Sequence, residues 1–362
     1  MSARSRIYPE VEEALKAFIP SDNQDFGHSM LPVVASAQYC GDVWSELEIS
    51  PYDSITLEPQ SKILHYPQTV FEGQRAFITP SGRTYLFRPD DHHARFAASS
   101  ARMAMPALPK MIYMTAVREV TRLYAHHVRS ARGSSLYIRP FMIGTDTGLG
   151  IDPCRGYRFM VTAAPSGALY ESPSIAVFVE RQYSRAARGG TGNIKTGGNY
   201  AAAMISKIRA QKAGAHESLW LDDIMRENVE ELSGMNFFAV IDSELHTPSL
   251  TGTILAGITR DSILKLSQLS GIKTHERTLG IAELYELIRA GRCTECFACG
   301  TAASILPIRA FVEEDGSSVH LPGAPFRLTG FLREKLTRYQ QGEDPDLPYD
   351  WRELLDSSKP DL

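Results

Sequence analysis

Apolar residues recur along this chain at two different periods, and each period predicts an element. In "MIYMTAVREVTRLYAHHV" (111–128), Ile112, Ala116, Val120 and Leu123 fall every three or four residues, the spacing of one helix face. "HARFAASSARMAM" (93–105) reads as a helix stopped before Pro106, and further helices are predicted at about 200–214, 259–271 and 281–290. "SLYIRPFMIG" (135–144) alternates as a strand does, and "TYLFRP" (84–89), "YRFMVTAAP" (157–165), "SIAVFV" (174–179), "SLWLD" (218–222), "NFFAVI" (236–241) and "SLTGTIL" (249–255) are strand-like runs. Gly, Ser and Pro at 166–173 mark a linker. The acidic "GEDPDLPYD" (342–350) reads as a surface excursion before a short final helix. Nothing repeats at a fixed period, so the expectation is mixed α and β in two domains.

Length and composition sharpen this only slightly. At 362 residues the chain exceeds one small core. A net charge of −4 gives no reason to expect a nucleic-acid or membrane partner. No apolar run approaches the ~20 residues of a membrane span. Acidic Glu10, Glu12 and Glu13 argue against a transit peptide, so a cytoplasmic location is expected. Three of five cysteines cluster in "CTECFAC": Cys293, Cys296 and Cys299. An iron–sulfur site wants a fourth thiolate, so the favoured reading is buried or redox-sensitive thiols and no metal.

The stretch that demands an explanation is "RGGTGNIKTGGNYAAA" (188–203), where Gly189, Gly190, Gly192, Gly197 and Gly198 surround Lys195. A phosphate loop of the form GxxxxGK[ST] is disfavoured, because Ile194 stands where its second glycine belongs. A flexible surface loop explains the glycines but not the ordered-looking "NY" and the Ala-rich helix behind it. The third reading is a lysine that must reach a carbonyl. Side-chain-free backbone lets a planar cofactor lie close, and a desolvated lysine becomes a nucleophile. That combination suits a Schiff-base lysine holding pyridoxal phosphate (PLP).

With "SLWLD", "EELSGMNFF", "LTGTILAGITRDSIL", "ACGTAA" and the upstream "ILHYPQTVFEGQRAF", "LFRP" and "SLYIRPFMIG", this segment resembles the branched-chain amino acid aminotransferases, class IV of the PLP-dependent transaminases. The resemblance runs from about residue 25 to about residue 340. It implies an α+β, two-domain fold type IV enzyme, with a small N-terminal α/β domain, a larger C-terminal domain and PLP between them. The expected divisions are 1–170, a linker at 171–184, and 185–362. Lys195 then matches the lysine that bonds the cofactor and shuttles the proton. Glu231 matches the acid on the pyridine nitrogen, with adjacent Glu230 as the rival register. Tyr200 matches the tyrosine near the phenolic oxygen, and Arg185 another arginine near the cofactor. Arg88, Thr301 and the N–H groups of Ile258 and Thr259 behind Gly257 match phosphate donors. Tyr66, Phe71, Tyr137, Arg139, Thr301 and Ala302 line the substrate side, with Arg139 meeting the distal carboxylate of glutamate.

The implied reaction moves the amino group of leucine, isoleucine or valine to 2-oxoglutarate, giving branched 2-oxo acids and L-glutamate. The implied assembly is a homodimer, with amino acids and 2-oxo acids as the small-molecule partners. Alternatives stay open: an aminotransferase for an unusual amino acid in a specialised pathway, a same-fold lyase or D-amino acid transaminase, or, in a different class, an interaction protein or a metal or redox module on "CTECFAC". Some relatives carry a CxxC pair just after the "GTA" turn; here "AASIL" follows instead.

Overall fold

The structure is a computed structural model that describes residues 5–19, 30–79, 81–125, 135–166, 172–323, 325–344 and 347–355. The chain divides into two compact units, Met1–Leu169 with Lys195–Gly197 and Tyr339–Leu362, and Tyr170–Ile194 with Gly198–Arg338. The 166–173 linker expectation falls largely outside the described residues.

The first unit is built on a mixed sheet whose strands run, neighbour to neighbour, Ser5–Ile7, Leu47–Pro51, Val33–Cys40, Tyr157–Ser166, Ser135–Gly144, Gln74–Ile78, Thr84–Phe87 and Arg352–Leu355. Its longest pairing sets Ser135–Gly144 antiparallel to Tyr157–Ser166 over ten residues. The helix Lys110–Tyr124 buries Tyr113, Val117, Val120 and Tyr124 at three- and four-residue spacing. Tyr113 meets Phe96 of the helix Pro89–Arg102 and Phe159 of the sheet at ring-centroid distances of 5.4 and 5.9 Å. This aromatic knot holds both helices to the sheet, each ring burying a large apolar area.

In the second unit the strand path is Val229–Leu232, Glu217–Leu221, Ile175–Glu180, Ser304–Val312, Cys293–Gly300, Asn236–Ile241, Glu244–Pro248 and Thr274–Arg277. Val229–Leu232 also pairs with Asn236–Ile241, through Glu231 opposite Asn236. That pairing closes six of the strands into a ring. Ile175, Val177, Phe237 and Ile308 of those strands are buried in one apolar cluster. The helices Ile258–Leu269 and Ile281–Arg289 cover Cys293–Gly300.

The structure differs from expectation at several points. Residues 175–180 fall within the segment 171–184 assigned to a linker, yet they form a fully buried strand paired in parallel on both sides, as the apolar run at 174–179 suggests. Residues 339–362, assigned to the second domain, belong to the first unit, because Arg352–Leu355 pairs with Thr84–Phe87 as an edge strand. That same strand stands where a final helix was expected. "SLTGTIL" is a loop and not a strand. Gly252 sits there at φ +95°, outside the extended backbone of strands. The helix expected at 200–214 is two pieces, Gly197–Ala201 and Met204–Lys212. Among the described residues no helix is long and apolar enough to cross a membrane.

Candidate active site

Lys195 is held by its backbone, not left on a loose loop. Its carbonyl accepts from Phe71 N–H at 3.1 Å, and its own N–H donates to Ser99 Oγ at 3.1 Å. Thr196 bridges to Val70 and donates its hydroxyl to the Thr69 carbonyl at 2.7 Å. The half-buried Lys195 amine lies 4.9 Å from the centroid of the Phe71 ring. Arg139 stands 4.8 Å from the same centroid, and donates to the Tyr137 hydroxyl at 3.1 Å. Its Nε is buried with no hydrogen-bond partner. An amine and a guanidinium therefore both lie against the Phe71 ring, contacts favoured by the ring's negative faces. Tyr66 is farther out, 39% exposed, donating to the Leu149 carbonyl at 3.3 Å.

Arg88 is buried at the N-cap of Pro89–Arg102, in left-handed backbone at φ 52°. Non-glycine residues enter that region only at a cost. Its Nε is 2.6 Å from Asp91, and its guanidinium covers the Trp351 ring at 4.9 Å.

The other expected residues are in the second unit. Glu231 is buried and takes three donors: Arg185 at 2.6 Å, the Leu255 N–H at 3.1 Å and the Asn236 amide at 2.9 Å. Arg185 also donates to the carbonyls of Gly192 and Thr253, with its Nε buried and unpartnered. Glu230 points elsewhere, as neighbours on a strand must. It accepts from Thr253, and burial pushes its carboxyl up despite that bond and nearby Arg185. Gly257 caps the helix Ile258–Leu269, whose first residues Ile258 and Thr259 are buried. Thr301 and Ala302 form the turn joining Cys293–Gly300 to Ser304–Val312. The Tyr200 ring is 3.9 Å from where a β-carbon on Gly234 would stand.

The glycines around the lysine have separate reasons. Gly189 takes φ +75°. A β-carbon on Gly192 would stand 2.4 Å from the Thr253 carbonyl oxygen. Asn199 then ties the loop shut, donating to the Thr191 and Ile194 carbonyls at 2.7 and 3.0 Å.

The family model for amino-transferase class IV matches residues 69–311. The chain belongs to this family. A branched-chain-amino-acid aminotransferase of Mycolicibacterium smegmatis is 39% identical over 90% of both chains. The Escherichia coli branched-chain amino acid aminotransferase structure is 26% identical, with a TM-score of 0.71 over 89% of this chain and all of that one. A T.th. branched-chain amino acid aminotransferase with pyridoxamine 5'-phosphate is also 26% identical, with a TM-score of 0.70 over 89% of this chain and 99% of that one. The fold is the fold type IV of this class, and the protein is a PLP-dependent aminotransferase.

Several features of this aminotransferase were not singled out in the sequence. Glu72 is fully buried, with two bonds from Arg95 at 2.6 and 2.8 Å and the His92 ring at 2.9 Å. Burial alone would push its carboxyl up, but the Arg95 charge and the bonds from Arg95 and His92 outweigh that and hold it far below the usual range. His92 is pushed down chiefly by burial, against the pull of Glu72. The only signal was "FEG" beside Phe71; nothing local shows that an acid there meets a helix twenty residues later. Asn236 was likewise passed over.

Cys293 and Cys296 lie 3.7 Å apart sulfur to sulfur on a buried strand, and burial raises the Cys296 and Cys299 thiols. Among the described residues the metal-capable group is Glu244, His246 and His275. There Arg277 donates to His246 Nδ1 at 3.2 Å, where a zinc-bound histidine needs an acceptor. Lys273 and His275 bond the Glu244 carboxylate at 3.0 and 2.6 Å, making this an ion-pair cluster.

Proposed function

We propose that this enzyme transfers the amino group of branched-chain L-amino acids to 2-oxoglutarate, with Lys195 as the cofactor's anchor. The observation that carries the reading is that the Lys195 amine and the Arg139 guanidinium lie 4.9 and 4.8 Å from the centroid of the Phe71 ring. An apolar side chain packs on such a ring, and a distal carboxylate finds the unpartnered Arg139 Nε. One pocket can then take an aliphatic donor and an acidic acceptor in turn.

The residues present fit PLP. Lys195 provides an amine for the aldehyde. Glu231, ringed by donors, suits a protonated pyridine nitrogen. The helix start behind Gly257 suits a phosphate. Arg185 holds Glu231 while keeping an orphaned Nε of its own. When bound, PLP supplies the electron sink for the pair left on the substrate Cα. Lys195 Nζ would be the base that takes and returns the substrate's Cα proton. The reading assigns Tyr200 to the phenolic oxygen and Thr301 to the phosphate, and it assigns Tyr66, Tyr137 and the Thr301–Ala302 backbone to the substrate α-carboxylate.

The reading includes a homodimer and a cytoplasmic location. The test is an absorption spectrum of the holoenzyme before and after leucine. The ~410–420 nm band of a lysine-bound cofactor should fall. If leucine, isoleucine and valine leave it unchanged while another amino acid bleaches it, the substrate assignment is wrong.

A further inference from the structure

Asn236 stands between two features that a class IV aminotransferase must keep in register. Its amide donates at 2.9 Å to Glu231 Oε2 and at 2.9 Å to the Leu255 carbonyl. Its Oδ1 lies so close to Gly257 that a β-carbon there would stand 1.9 Å away. Asn236 and Glu231 are also the pair at which the ring of strands closes. All four residues belong to the second unit, and the Asn236 and Glu231 side chains sit in residues 5% exposed or less.

We propose that Asn236 is a positioning residue that couples the acid at 231 to the anion-binding helix start at 257. The inference rests on the proposed roles of Glu231 and Gly257. The geometry asks for asparagine specifically. An aspartate would face the Glu231 carboxylate with oxygen against oxygen. An alanine would remove one donor from Glu231 and one from the Leu255 carbonyl in a buried setting, which is costly. Gly257 is required for the same reason, because Asn236 Oδ1 occupies the space a side chain would need. Loss of either residue should therefore be felt at both ends of the cofactor, the ring nitrogen and the phosphate.

The experiment compares full-length holoenzymes of wild type, Asn236→Ala, Gly257→Ala and the double variant. The readouts are PLP affinity, kcat, KM for leucine, and the ring-nitrogen resonance of 15N-labelled PLP. For Asn236→Ala we expect kcat down about tenfold or more, the size of one lost bond to a charged group, with KM changed less than about threefold. The ring-nitrogen resonance should move toward its unprotonated position. Gly257→Ala alone should weaken PLP binding about tenfold or more, the size of an overpacked site. Placed in Asn236→Ala it should cost less than about threefold, because the obstructing oxygen is gone. An unmoved ring-nitrogen signal, or penalties that simply multiply, overturns the coupling. Should Asn236→Ala not fold, the isosteric Asn236→Asp, which replaces the donor by a like charge, carries the kcat test with the same expected direction. If wild type itself binds no PLP or fails with leucine, the functional reading fails; if wild type behaves and the variants do not differ, only this inference does.

Discussion

At Lys195 the backbone is pinned by Phe71 and Ser99 while the amine is directed over an aromatic face. Replacing it tests chemistry more than stability. Lys195→Ala should abolish transamination and the borohydride-reducible cofactor linkage while leaving the thermal midpoint nearly unchanged; retained turnover would refute its role. Arg139 differs, because its guanidinium lies against the Phe71 ring, whereas Lys195 is held through the Phe71 backbone N–H. Arg139→Ala should raise KM for 2-oxoglutarate about tenfold or more, the loss of a charge-assisted contact, and alter KM for leucine far less. Equal effects on both half-reactions would show that the distal carboxylate is bound elsewhere.

One scale up, the helix Pro89–Arg102 and its cap carry four relevant residues: Arg88 at the N-cap, His92 and Arg95 against Glu72, and Ser99 under Lys195. Glu72 anchors this helix next to the strand that bears Phe71. Removing one partner of a buried ion pair leaves the other uncompensated, so Glu72→Gln should cost about 3–5 kcal/mol in urea unfolding at pH 7. Because the folded state depresses the Glu72 pKa, its contribution is fully present above the unfolded value of about 4.3 and disappears as pH falls through the folded one. Wild type should therefore lose stability faster than Glu72→Gln on acidification below about pH 5. Parallel pH profiles for the two proteins would show that the network carries no net charge linkage.

For the molecule as a whole, the informative piece is the C-terminal strand. Arg352–Leu355 pairs with Thr84–Phe87, Arg118 grips Glu353 at 2.5 and 3.0 Å, and Trp351 and Leu355 are buried. A chain ended at Arg338 exposes those two apolar side chains' partners and an unpaired sheet edge. Its melting midpoint should drop by about 10 °C, from roughly 1.5–3 kcal/mol per side chain. A midpoint within about 2 °C of wild type, judged against that roughly 10 °C expectation, would show that the strand contributes little. The proposed homodimer is checked separately by sedimentation of the intact holoenzyme.

Local periodicity was enough for the helices at 110–124 and 281–289, the long strands of the first unit and the apolar strand at 175–180, because side-chain spacing is a property of neighbouring residues. Which partners flank the strand at 175–180, and that 352–355 is an edge strand at all, were not legible, since pairing depends on distant segments that supply the hydrogen bonds. The same holds for the polar groups. Glu230 and Glu231 look alike in sequence, and only the strand's alternation sends one toward Thr253 and the other toward Arg185, Asn236 and Leu255. Long-range pairing decided which acid is ringed by donors, why Glu72 is charged in a buried place, and why position 257 must lack a side chain.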